Sequence, residues 1–299
     1  MKTNFLKILL LSLFLLPLGL QAQTHNGHKK KKTVNMHAAD SKVMNFDLSY
    51  LKKDEDLDLD FDVSADASNY LLIIAVDKYT FWKPLHNAVK DANDVKKVLL
   101  EKYRFDLANV YELYNEQVTL ENVRATFEKI KEKIAGNDNL LIYFSGHGFY
   151  DASFDEGYWI PYNGKVGQVS TYIPNTNVLK YIAAINSRHT FLIADACFSG
   201  SLFSEQNRGY IEKVEQIKSR WGLTSGNIEF VSDGKQGENS PFAHYLVKFL
   251  KENLKDRFPV SELIQYVKIA VSDNTSQTPI GNPLRNVGNE GGEMVFYLK

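Results

Sequence analysis

Beyond residue 68 the chain alternates short apolar runs with longer segments in which apolar positions recur every three or four residues. Tyr70 to Val76 is continuously apolar, the pattern of a strand covered on both faces. Ala88, Ala92, Val95 and Leu99 then repeat at helical spacing, with Lys90, Asp94, Lys96 and Lys97 on the opposite face. Val110 to Tyr114 predicts another strand. Thr119 is a good N-cap for a helix carrying Leu120, Val123, Phe127, Ile130 and Ile134, and Gly136 stands just past its end. Leu140 to Phe144 and Phe191 to Ala194 are two more buried strands, separated by a helix over Asn177 to Ile185 with Val178, Tyr181, Ile182 and Ile185 on one face. This order predicts an α/β fold: a mostly parallel sheet flanked by helices on both faces, with right-handed crossovers. Toward the C-terminus the pattern predicts a strand at Ile228 to Val231, helices at Pro241 to Leu250 and Val260 to Ala270, and a last strand within Glu293 to Leu298 that completes the sheet.

The first 68 residues break this alternation. Met1 to Ala22 places Lys2 and Lys7 before an apolar run, Ile8 to Leu16, that is far shorter than the roughly 20 residues needed to span a bilayer. With the small residue Ala22 at its end, this is a secretory signal pattern, cleaved before Gln23. Secretion or a periplasmic location follows, with no stable membrane insertion after cleavage. Residues 23–68 read as a polar leader or propeptide, with the basic run Lys29 to Lys32 and an acidic alternation through Asp58, Asp60 and Asp62. The expected folded domain is 69–299.

Composition narrows the chemistry. With 35 basic and 36 acidic residues there is no basic field to hold nucleic acid. Cys197 is the single cysteine, which rules out an intramolecular disulfide and any Cys-rich metal cage. No motif implies a cofactor or a metal; Gly288 to Gly292 lacks the helix a phosphate-binding loop requires.

What remains is one thiol and the residues that could activate it. Leu140 to Phe144 runs into Ser145-Gly146-His147-Gly148, and Phe191 to Ala194 runs into Asp195-Ala196-Cys197-Phe198-Ser199-Gly200. In parallel sheets, chemistry gathers at the carboxyl ends of strands, where both motifs sit. A thiol attacks only as thiolate, so His147 is the candidate base for Cys197. The glycines and small residues beside them allow close approach of a substrate backbone, and the amides of Gly148 and Cys197 are candidate oxyanion donors.

These two motifs resemble the His and Cys motifs of caspase-like cysteine peptidases, on the bacterial and metacaspase side of that clan. Leu85-His86-Asn87-Ala88-Val89-Lys90-Asp91-Ala92 is similar to the first-helix motif of that family, and Leu223-Thr224-Ser225-Gly226 and Ser240-Pro241-Phe242-Ala243 resemble its small-subunit region. The resemblance covers roughly 69–299. It implies a caspase-haemoglobinase fold, a large-subunit-like part (69–205), a linker (206–222) and a small-subunit-like part (223–299). It implies endopeptidase chemistry, with Cys197 as nucleophile, His147 as general base and acid, and the Gly148 and Cys197 amides as oxyanion hole. The primary pocket of metacaspases matches Ala88, Asp91, Ser145 and Asp195 here. Acidic groups in that pocket attract a basic side chain, so cleavage after Arg or Lys is expected, with peptides or proteins carrying basic residues as substrates.

Phe198 departs from the histidine common after the metacaspase cysteine, and Tyr172 to Thr176 lacks the acids of calcium-dependent members. Asp151, Asp155 and Glu156 are acids that could contribute calcium ligands, or simply be solvated. A basic-specific peptidase could cut itself between Ser201 and Trp221, at Arg208, Lys213, Lys218 or Arg220, or in the leader near Lys32 or Lys53; the alternative is an intact chain with an amphipathic helix from Tyr210 to Arg220. A different class of function, a catalytically silent caspase-like module that binds a partner protein, is separated from the peptidase by whether alkylation of Cys197 depends on His147.

Overall fold

The computed structural model describes residues 67–196, 202–203, 215–226 and 233–299. The signal segment, nearly all of the leader, Cys197 to Gly200, Arg208, Lys213 and the expected strand at Ile228 to Val231 lie outside the described residues. All described residues fall within the compact unit 44–299.

The continuous apolar runs become the interior of one sheet. Its strands are β1 (Asn69–Ala75), β2 (Val110–Tyr114), β3 (Asn139–Ser145), β7 (His189–Asp195), β8 (Ser219–Thr224) and β10 (Ile280–Pro283), in the order β10-β8-β7-β3-β1-β2. Only β10 runs antiparallel to its neighbour. Successive strand side chains point to opposite faces, so Leu71, Ile73, Leu141, Tyr143, Phe191 and Ile193 enter one core and Leu72, Ile74, Leu140, Ile142, Phe144 and Leu192 the other. Both faces therefore need a cover. Helix α1 (Ala88–Lys102), α4 (Pro241–Glu252) and α5 (Val260–Asn274) close the first core; α2 (Leu120–Lys133) and α3 (Asn175–Ala184) close the second. Thr119 caps α2 by accepting from the Asn122 N–H at 3.1 Å.

Chain direction reverses around β1. The first crossover carries β2 to one side of β1, and the next returns β3 to the other, with α1 and α2 on opposite faces. The loops leaving the carboxyl ends of β1 and β3 thus diverge, opening the kind of crevice that α/β sheets use for ligands.

Several expectations need correction. The last strand, β11 (Val295–Tyr297), pairs with β9 (Arg257–Pro259) in a separate two-stranded sheet rather than completing the central one; a short apolar run does not name its partner. Strand β8 begins at Ser219, inside the expected linker. Ser219 and Arg220 are therefore strand and not the end of a solvated helix. Arg220 is fully buried, donating to the carbonyls of Ile185, Ser187, Arg188 and Ser219, which rules it out as an accessible cleavage point in the folded chain. A three-stranded sheet of β4 (Gly148–Asp151), β5 (Glu156–Trp159) and β6 (Ile173–Pro174) was not expected at all.

Candidate active site

Strands β3 and β7 are hydrogen-bonded neighbours in a register that sets Ser145 opposite Asp195. The Gly146 N–H continues the ladder, donating to the Asp195 carbonyl at 3.3 Å. His147 and Cys197 each stand two residues past this pair, so both motifs leave the sheet at one edge. Cys197 itself lies outside the described residues, which after this strand continue only to Ala196.

His147 is fixed from three directions. Its backbone N–H donates to the Tyr79 hydroxyl at 2.7 Å, and its ring lies against the rings of Tyr79 and Trp82, at 4.8 and 5.5 Å between centroids. Its Nε2 is 2.7 Å from the carbonyl oxygen of Lys83. A carbonyl can only accept, so Nε2 carries the ring proton and Nδ1 keeps the lone pair. Burial pushes the imidazole pKa below its ordinary value, against the raising effect of the Lys83 hydrogen bond and the Asp233 charge. The neutral base is the favoured form at pH 7.

The next peptide is oriented as well. The His147 carbonyl accepts from Ile160 N–H at 3.0 Å. In a planar trans peptide the following N–H points the opposite way, so Gly148 N–H is directed away from Ile160.

All four residues expected in the pocket are buried. Ala88 and Asp91 share a face of α1, three residues apart. Asp91 and Asp195 converge on Ser240, the N-cap of α4: its N–H donates to Asp91 at 3.2 Å and its hydroxyl to Asp195 at 2.6 Å, while that hydroxyl accepts from Ala243 N–H. Asn239 adds a bond to Asp91 at 2.8 Å. Burial raises the Asp91 pKa to about 8, with the Asp195 charge adding to it, and burial raises that of Asp195 to about 6. Asp195 Oδ1 is buried without a hydrogen-bond partner among the described residues. Among the described residues the donors to these two crowded carboxylates are all neutral. Ser145 lies beside them through its register with Asp195.

A family model described as the caspase domain matches residues 68–286. The chain belongs to the caspase family. A crystal structure from Geobacter sulfurreducens has a similar fold, with a TM-score of 0.53 at 17% identity, covering 72% of this chain and 93% of that one. No curated protein matches the chain. Caspase membership supports cysteine peptidase activity in general terms.

Several residues of this caspase-like site escaped the sequence reading. Tyr79, Trp82 and Lys83 come from the loop between β1 and α1, which carries no periodic signal. Asp233 accepts from the N–H groups of His86 and Asn87, and the buried Asn87 amide donates to the carbonyls of Asp233 and Lys235 and accepts from Gly237 N–H. This lashes the segment before α4 onto the start of α1. Asn87 and Ser240 did leave a trace, inside the stretches similar to the family's first-helix and small-subunit motifs, and Ser240 also stands just ahead of a proline at a helix start. The acids Asp151, Asp155 and Glu156 are engaged separately by Ser153 N–H, the Tyr150 hydroxyl and Thr176 N–H. Among the described residues no acid, histidine or cysteine cluster is arranged to hold a metal.

Proposed function

We propose that this caspase-like protein is a secreted or periplasmic cysteine endopeptidase that cleaves after Arg or Lys with a Cys197–His147 dyad. The observation that carries the specificity is the convergence of the buried Asp91 and Asp195 carboxylates on Ser240, one residue pair away from the histidine motif. A guanidinium or ammonium would bring a positive charge to two carboxylates whose described donors are all neutral.

The chemistry follows from the tautomer. Nδ1 of His147 takes the thiol proton of Cys197, and the sulfur attacks the scissile carbonyl carbon. The oxyanion is received by the amides of Gly148 and Cys197. The imidazolium returns its proton to the leaving amine as the C–N bond breaks, leaving a thioester that water hydrolyses by the same proton relay. The Lys83 carbonyl and the Asp233 charge steady the imidazolium that forms in each half-reaction. The same specificity turned on its own chain would cut at Lys218 or among the basic residues before it, or in the leader near Lys32 or Lys53.

A panel of fluorogenic peptides tests this reading. Arginyl and lysyl substrates are expected to turn over at least tenfold faster than aspartyl or neutral ones, with no turnover by Cys197→Ala. Faster aspartyl cleavage would reject the pocket. A Cys197 that alkylates slowly and indifferently to His147→Ala would identify a silent binding module instead.

A further inference from the structure

The catalytic imidazole is the first ring of a connected aromatic surface. Trp82, at 5.5 Å from His147, packs edge-on against Tyr172 at 5.8 Å; Tyr172 in turn meets Phe149 at 5.8 Å and Tyr158 at 6.0 Å. Phe149 and Tyr158 are direct cross-strand partners, so they occupy the same face of the small sheet β4-β5-β6. The opposite face is the anchored one, with Trp159 fully buried and stacked on Phe144 at 4.2 Å. Tyr172 is a rigid floor: it is buried, its hydroxyl donates to the Lys165 carbonyl at 2.8 Å, and it accepts from Gly167 N–H at 3.1 Å. Above it Trp82, Phe149 and Tyr158 are half-buried; Phe81, next to Trp82 in the chain, and Phe154, in the turn between β4 and β5, are 50% and 79% exposed. So many rings on one loop-rich surface call for an apolar occupant.

Position identifies that occupant. A general acid must stand beside the nitrogen it protonates, so the elements bordering His147 away from the acyl pocket border the leaving half of the peptide. The acyl pocket, built on Asp91, Asp195 and Ser240, contributes no ring to this surface. Phe149 lies two residues beyond His147 on an extended strand, which at about 3.3 Å per residue is the reach of the first two substrate residues past the scissile bond. We propose that Trp82, Tyr172, Phe149 and Tyr158 form the leaving-side subsite and select an aromatic or large aliphatic residue at one of those two positions. This rests on the reading of His147 as the general acid of a peptidase that cuts after basic residues.

Internally quenched peptides test it on the full-length enzyme. They share one arginine before the scissile bond and carry Phe, Leu, Gly or Asp in turn at each of the next two positions. Phe or Leu is expected to exceed Gly by about tenfold in kcat/KM, the worth of burying part of one large apolar side chain. In Phe149→Ala and Tyr158→Ala that preference ratio should fall toward one. A measurement without variants checks the same subsite: the acyl-enzyme should be captured by phenylalaninamide about tenfold more efficiently than by glycinamide. Equal rates for all leaving-side residues, or equal capture of both amides, would overturn the subsite while leaving the basic-specific peptidase intact. An enzyme that cuts none of the peptides would overturn both.

Discussion

The hydroxyl of Tyr79 sits 2.7 Å from the backbone nitrogen of His147, and it fills the space where a side chain on Gly146 would go. A Cβ at Gly146 would come within 2.7 Å of that oxygen. The glycine before the histidine is thus required by a residue in a different loop, and Tyr79 positions the proposed base. Tyr79→Phe is expected to lower kcat about tenfold with little change in KM, because it strands the His147 N–H. Gly146→Ala should be worse alone than in the Tyr79→Phe background, where the obstructing oxygen is gone. A double-mutant cycle on kcat/KM should give a coupling of about 1 kcal/mol, and simple additivity would refute the contact.

With His147 as the proposed base, its burial is expected to set the acid limb of the pH profile. The imidazolium is disfavoured in the folded protein, so the base form persists below the ordinary pKa of 6.5. The acid limb of kcat/KM should therefore fall below pH 6.5. Asp233→Asn removes a charge that raises this pKa and should move the limb further toward acid. A limb moving toward alkali would contradict the assignment.

Asp91 should weaken the fold at alkaline pH while serving the proposed pocket. Its folded pKa of about 8 lies above the ordinary 3.8, so the folded state holds a proton that the unfolded chain releases. Stability from this group is complete below pH 3.8 and is lost as pH rises through about 8. Asp91→Asn is expected to raise Tm by roughly 5 °C at pH 8, to leave it unchanged near pH 3.5, and to cut turnover of arginyl substrates by about a hundredfold. Thermal melts at both pH values check the sign.

His189 gives the opposite slope. Its ring is buried between the Ser219 hydroxyl and the Glu215 carbonyl, and burial depresses its pKa to about 4. Its unfolded form takes up a proton as pH falls below 6.5, so stability is lost from there down to about pH 4. His189→Gln should flatten that part of a Tm-against-pH curve, at a cost in stability at pH 7.

Arg220 is a clamp rather than a processing site. Its guanidinium ties the end of α3 and the turn into β7 to strand β8 through four carbonyls. Arg220→Met should lower Tm by roughly 10 °C, since those acceptors lose a buried, charged donor. Limited trypsin digestion of the native protein should spare the Arg220–Trp221 bond.

Local pattern was enough for the first strands and the five helices, and it singled out two strand tips as candidates for chemistry, but it missed the small sheet β4-β5-β6 and the start of β8. Continuous apolar runs such as Leu140 to Phe144 admit one environment, a strand between two covered faces, and Gly-His-Gly or Asp-Ala-Cys at the end of such a run is chemically conspicuous. The tertiary structure decided what distant chain does to them. Periodicity records that a residue is buried, not which residue 45 or 149 positions away covers it; hence Ser240 joining Asp195 and Asp91 was invisible. The same holds for Tyr79 and Lys83 around His147, whose loop has no period, and for Arg220, whose charge reads as exposed until four carbonyls surround it. Burial propensity is written residue by residue, whereas a site is made by pairings that exist only once the sheet has fixed its register.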